Sequence, residues 1–165
     1  MKSVILFRHG KSDWGAHYST DHERPLSKRG INASKKMGLY LKRRDNFPEL
    51  ILSSTSLRTK STIQLAVKEG KWPTEIIYDS KLYEASLNDV MDILKKQDDN
   101  LNKICIVGHE PVLSLLILKS RKANWEKFPT ASMAKINFIS KKWVNIKFGV
   151  GSSELVWLVK PKDLD

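Results

Sequence analysis

Hydrophobic positions along the chain follow two alternating spacings. Short runs dense in aliphatic and β-branched residues, SVILF (3–7), ELILS (49–53), EIIYD (75–79) and KICIV (103–107), are each followed by a longer stretch in which apolar residues recur every three or four positions. The runs predict strands and the stretches predict amphipathic helices. Residues 28–44 carry Ile31, Met37 and Leu41 at helical spacing, with Ser27 placed as N-cap and Pro25 ahead of it. Residues 56–70 and 86–97 behave alike. Ser86 with Asp89 three residues on forms a weakened capping box, and Pro111 suits the first turn of a fourth helix. Four strand–helix pairs in a row predict a largely parallel sheet held between two layers of helices. After residue 133 the rhythm changes: KINFIS, WVNIKFG and ELVWLV follow one another without helical spacers, which predicts antiparallel strands at the C-terminal edge of the sheet. No repeat, linker or shift of composition interrupts the chain, so residues 1–165 read as one α/β domain, a three-layer sandwich.

Composition narrows the setting. A chain of 165 residues that is 41% hydrophobic buries a core of its own. Lys and Arg number 29 against 18 Asp and Glu, a net charge of +11 that favours anionic partners. The basic residues are scattered through the chain with no dense tail, so they read as a solvated coat and nucleic acid is not the expected partner. The single cysteine, Cys105, lies in an apolar run and is expected to be a small buried hydrophobe; a lone thiol fits a reducing compartment. The first apolar run is cut off at Arg8, far short of a signal-peptide core, and no stretch approaches the roughly 20 apolar residues of a membrane span. These features predict a cytoplasmic protein without a membrane anchor.

The chemistry is expected where the strands end, because open α/β sheets bind ligands in the crevice beyond the carboxyl ends of their strands. The first strand ends in Arg8-His9-Gly10, the second in Ser53-Ser54 with Arg58 in the opening turn of the next helix, and the fourth in Gly108-His109-Glu110-Pro111. Gly10-Lys11-Ser12 invites a nucleotide-loop reading, but the first glycine of that motif would fall on Ile5, inside a strand. Two arginines and two histidines converging on one edge describe a phosphate pocket instead: guanidinium donors match phosphate oxygens, and helix N-termini supply free amides. Of these groups only an imidazole is a nucleophile, and it must be unprotonated to act, a condition that neighbouring Arg8 and Arg58 favour. Phosphoryl transfer to a histidine is therefore the expected reaction. A pocket that binds phosphate or polyanion without turning it over is the contrasting reading.

Arg8-His9-Gly10, Arg24-Pro25-Leu26-Ser27 with Gly30, STSLRTKST (54–62), Leu82-Tyr83-Glu84-Ala85 and Val107-Gly108-His109-Glu110-Pro111 together resemble the histidine phosphatase superfamily, and within it the compact SixA-type phosphohistidine phosphatases. The likeness runs in order from residue 4 to about residue 118. It implies a phosphoglycerate mutase-like fold and a metal-independent phosphatase working through a covalent phosphohistidine at His9, with Arg8, Arg58 and His109 gripping the phosphoryl oxygens and His109 preferably a cation. Ser12 either donates its hydroxyl to phosphate or serves only the turn. Larger relatives use a glutamate to protonate the leaving oxygen, and Glu84 is the positional match, with Asp13, Asp21 and Glu23 as competitors. The mutase-like relatives have asparagine where this chain has Gly15, which speaks against a mutase. Arg24 either reaches the pocket rim or braces the loop ahead of the first long helix, with bracing the favoured reading, and Trp14 is a candidate to line the substrate entrance. No cofactor is implied, and the sequence lacks a metal-binding run. The expected substrate is phosphohistidine on a protein, since no insertion is large enough to form a lid over a small molecule; small phosphomonoesters are the alternative.

Overall fold

The computed structural model describes residues 1–121 and 124–165. Six strands, β1 (Lys2–Arg8), β2 (Leu50–Ser53), β3 (Ile76–Tyr78), β4 (Lys103–Gly108), β5 (Met133–Phe138) and β6 (Ser153–Val159), form one sheet in the order β3-β2-β4-β1-β5-β6. The first four in that order are parallel, β5 pairs antiparallel with β1, and β6 pairs antiparallel with β5 at the edge. Four helices complete the layers: α1 (Lys28–Arg44), α2 (Leu57–Gly70), α3 (Leu87–Lys95) and α4 (Val112–Lys119). The fold is thus the mixed α/β sandwich that the alternating spacings predict.

Alternation along the central strands assigns the two faces. Val4, Leu6, Ile104 and Ile106 pack with Val90, Leu94, Leu113 and Leu116 of α3 and α4. Their neighbours Ile5, Phe7, Cys105 and Val107 pack with Met37, Leu41, Ile63 and Ala66 of α1 and α2. Both faces are apolar because both are covered, as buried parallel strands require. Each fully buried aliphatic side chain contributes about 2 kcal/mol. A one-residue slip of β1 exchanges the faces of Val4 and Leu6 with those of Ile5 and Phe7 and displaces Arg8 from its place opposite Gly108, so core packing and the polar strand ends specify the same register.

The helix starts follow the sequence closely. The Ser27 side chain accepts from the Gly30 amide, Ser56 accepts from Thr59, and Ser86 and Asp89 form a full capping box. Pro111 stands at the N-cap of α4 rather than inside its first turn. The expected strand in WVNIKFG is not formed. Trp143–Asn145 is instead a single 3-10 turn: the Trp143 amide donates to Asp99 Oδ1 and its indole to the Leu101 carbonyl, which buries the ring completely and turns the backbone away from the sheet. Among the described residues two strands, β5 and β6, therefore lie from Met133 onward where three runs predicted them.

Candidate active site

Parallel pairing places the ends of β1, β2 and β4 side by side. The His9 amide donates to the Gly108 carbonyl at 3.2 Å, and the Ser54 amide donates to the Val107 carbonyl at 3.0 Å. Arg8-His9, Ser54 and Gly108-His109 thereby share one crevice, although about 100 residues of chain separate the two histidines. The imidazole centroids stand 5.3 Å apart, inclined at 51°, and both side chains are buried. Arg58, in the first turn of α2, is buried beside them. The four residues expected to converge are brought together.

His9 is held in one tautomer. Its Nδ1 lies 2.7 Å from the Gly10 carbonyl oxygen, which only accepts, so Nδ1 carries the hydrogen and Nε2 keeps its lone pair. The Gly10 peptide is fixed in turn, its amide donating to Thr62 Oγ1 at 2.9 Å while Thr62 donates to the Arg58 carbonyl at 2.7 Å. The same loop lies flush on α1. A Cβ on Gly30 would come 2.2 Å from the Lys11 carbonyl oxygen, and one on Gly10 would come 2.8 Å from the Gly30 carbonyl, so both positions exclude any side chain.

Electrostatics keep both rings neutral. Burial, reinforced by Arg58, Arg8 and Arg24, pushes His9 down to about 4 despite its hydrogen bond to Gly10. His109 is pushed down to about 3 by burial, then by His9 and Arg58. The expected cationic His109 is thus corrected: beside two buried guanidinium groups and a second imidazole, a further positive charge is disfavoured. Its Nε2 lies 2.9 Å from Ser54 Oγ.

The remaining residues divide. Arg8 donates through Nη1 to the Phe128 carbonyl at 3.0 Å; burial lowers it, and Glu110 partly offsets that. Glu110 itself caps α4, accepting from the Ser114 amide at 2.9 Å and from the Ser114 hydroxyl. Ser12 is buried in the loop across from Leu26, and its Oγ finds no hydrogen-bond partner among the described residues. Glu84 is exposed at a left-handed backbone position, φ 57°, and among the described residues no hydrogen bond or ion pair ties it to the histidines or arginines. The neighbouring Tyr83 faces the site instead, its ring edge-on to His109 at 5.4 Å and its hydroxyl donating to Asp21 Oδ2 at 2.5 Å.

Asp21, one of three acidic residues in its loop, is the carboxylate the fold delivers. Arg58 binds it twice, Nη1 to its carbonyl at 2.8 Å and Nη2 to Oδ2 at 3.0 Å, and Arg24 Nη1 donates to Oδ1. The Tyr83 hydroxyl and the two arginines hold its carboxyl well below the usual range, so it is ionised at any working pH. Arg24 therefore does more than brace a loop. It is buried, it stacks its guanidinium 3.6 Å from the ring centroid of exposed Trp14, and its charge reaches both histidines.

Among the described residues, three buried guanidinium Nε atoms, those of Arg8, Arg24 and Arg58, find no hydrogen-bond partner. Native proteins rarely leave such donors unpaired. Together with Ser12 Oγ they describe a set of donors for an oxyanion. Among the described residues no group of three or more His, Cys, Asp and Glu side chains is arranged to hold a metal ion, and no helix is long and apolar enough to cross a membrane.

Comparison with known proteins agrees with this geometry. An uncharacterized protein of Mycobacterium leprae is 28% identical over 169 residues, covering 94% of this chain and 99% of its own. The structure of the protein histidine phosphatase SixA complexed with tungstate superposes with a TM-score of 0.82 at 20% identity over 99% of both chains. A mycobacterial glucosyl-3-phosphoglycerate phosphatase complexed with VO3 superposes at 0.64 with 17% identity, covering 95% of this chain and 99% of its own. At those identities the two structures share the fold, the phosphoglycerate mutase-like sandwich. The sequence profile of the histidine phosphatase superfamily (branch 1) matches residues 4–99, more than half of the chain, a span that includes Arg8, His9 and Arg58. The chain therefore belongs to the histidine phosphatase superfamily, branch 1, and its enzyme class is that of a phosphatase.

Proposed function

We propose that this chain hydrolyses phosphohistidine on proteins through a covalent intermediate on His9. The observation that carries the reading is the His9 tautomer: a hydrogen on Nδ1, bonded to the Gly10 carbonyl at 2.7 Å, leaves Nε2 as a free lone pair among three buried arginines. In the first step that lone pair forms a bond to phosphorus as the bond to the leaving group breaks. His9 then carries the phosphoryl group and a ring positive charge. In the second step water adds to phosphorus, the electron pair of the P–N bond returns to Nε2, and both water protons leave on the phosphate as its monoanion. No proton has to be stored on the enzyme between the two steps.

Arg8, Arg24 and Arg58 bind the phosphoryl oxygens in this reading, with Ser12 as a further donor. Their fixed charges match the trigonal transition state without reorganisation. His109 is neutral before substrate arrives and serves as a hydrogen-bond partner; the incoming dianion favours its protonation, the opposite of what Arg58 does. Glu84 takes no part in the chemistry.

A protein-borne substrate is supported by the short loop that precedes α1. The segment between β1 and α1 is a loop with a short bridge between Ser12 and Leu26 and the 3-10 turn Asp21–Glu23, and Trp14, 70% exposed and stacked on Arg24, offers a partner an aromatic face. We place the reaction in the cytoplasm with a phosphorylated protein as partner, a setting in keeping with one buried cysteine. The test is a comparison of kcat/KM on a histidine-phosphorylated phosphotransfer protein, free phosphohistidine and a set of phosphomonoesters. The proposal expects the phosphoprotein to lead by at least 10-fold. A phosphomonoester leading by that margin would replace it with a small-molecule phosphatase.

A further inference from the structure

Asp21 is tied to two of the arginines whose charges act on His9, Arg24 and Arg58. His9 is only 8% exposed, so a phosphoryl group reaches it from the solvent side and in-line displacement sends the leaving group back toward solvent. The Asp21 side chain is 51% exposed while those of Arg24 and Arg58 are each 7% exposed, which puts the carboxylate at the boundary between the buried cations and the mouth. It engages only terminal guanidinium nitrogens, leaving the Nε atoms free for the phosphoryl group. Of its two oxygens, Oδ2 accepts from both Arg58 and Tyr83, whereas Oδ1 accepts from Arg24 alone. A carboxylate oxygen takes two hydrogen bonds, so Oδ1 has one to offer.

An ionised carboxylate at that point discriminates between leaving groups by charge. An alkoxide leaving a phosphomonoester needs a proton as the P–O pair moves onto oxygen, and Asp21, held by two arginines and a tyrosine, has none to give. A phosphohistidine protonated on its far ring nitrogen needs no proton: the P–N pair moves onto the near nitrogen, cancels the ring charge, and releases neutral imidazole whose N–H is still in place. That N–H is a donor for Oδ1.

We infer that Asp21 is a specificity-determining residue that accepts a hydrogen bond from the cationic N–H of the leaving imidazole and so favours P–N over P–O substrates. The inference rests on the phosphatase reading above and assigns its selectivity to one side chain. Nothing in it requires Asp21 to change protonation state.

The decisive measurement is the ratio of kcat/KM for free phosphohistidine to that for phenyl phosphate, in wild type and Asp21→Asn. Taken on one preparation, the ratio is independent of how much of the variant is folded. Removing a charged acceptor is expected to lower the ratio by about 10- to 100-fold, the worth of one hydrogen bond to a charged group. Asp21→Glu, which restores the carboxylate, should recover part of it. Equal losses on both substrates would overturn the inference and leave Asp21 as a brace for Arg58, with the phosphohistidine reading intact. A wild type that cleaves phenyl phosphate but no P–N substrate overturns both.

Discussion

His9 and His109 share one desolvated space, their ring centroids 5.3 Å apart, and each makes protonation of the other more costly. The folded chain therefore keeps both neutral, at about 4 and about 3, while in the unfolded chain each titrates near 6.5. As pH falls below 6.5 the unfolded state takes up protons that the folded state refuses. Stability is fully present above that pH, declines through the window down to about 4, and levels off once the folded values are passed. Between pH 7 and 4.5 the loss should be about 2 kcal/mol per histidine. Urea denaturation at a series of pH values measures it, and His109→Gln should remove roughly half of the slope. A stability curve flat across this window would mean the rings are solvated.

The Gly10 peptide links the tautomer of His9 to α2. Its carbonyl accepts from His9 Nδ1 and its amide donates to Thr62 Oγ1. Thr62→Val keeps the shape and leaves that buried amide unpaired, at a cost of about 1–3 kcal/mol. Because the peptide orients the nucleophile, kcat should fall by more than KM changes. Thermal unfolding beside steady-state kinetics separates the two effects, and an unchanged kcat in a destabilised protein would show that the peptide does not set the ring.

Arg58 and Glu84 should part sharply under substitution. Arg58→Ala removes a buried, preorganised cation that also anchors Asp21, and is expected to lower kcat/KM by about 100-fold or more. Glu84→Gln alters an exposed carboxylate that no hydrogen bond or ion pair among the described residues ties to the site, and should stay within about three-fold. Parallel kinetics on the same phosphorylated substrate check both. A large effect at Glu84 would restore it as proton donor.

Which parts of this were readable from the residues alone follows from where their physics is local. Helix caps at Ser27, Ser56 and Ser86 involve partners three residues away, and both faces of β1 and β4 are written in their apolar runs, so the sandwich emerges from spacing. The convergence of Arg8, His9, Arg58 and His109 follows from placing each at the end of a parallel strand or the start of the following helix. Asp21 was one of three acids in an irregular loop, and nothing in the order of Asp13, Asp21 and Glu23 says which one Arg24 and Arg58 will hold. Tyr83 and Glu84 are adjacent, and the left-handed turn at Glu84 that leaves Tyr83 to face the site has no sequence mark of its own. The neutrality of His109 likewise depends on burial beside His9, a property of the assembled crevice. WVNIKFG has the composition of a strand, but a completely buried tryptophan bonded to Asp99 and Leu101 turns it into a 3-10 bend.

The account stands on His9 as the atom that takes the phosphoryl group. Rapid mixing with a radiolabelled phosphohistidine donor, quenched in alkali to preserve P–N bonds and followed by peptide mapping, tests it directly. Label on His9 that forms and decays at the rate of turnover, and is absent from His9→Ala, is the predicted result. Turnover without label on His9, or a His9→Ala variant as active as wild type, would contradict it.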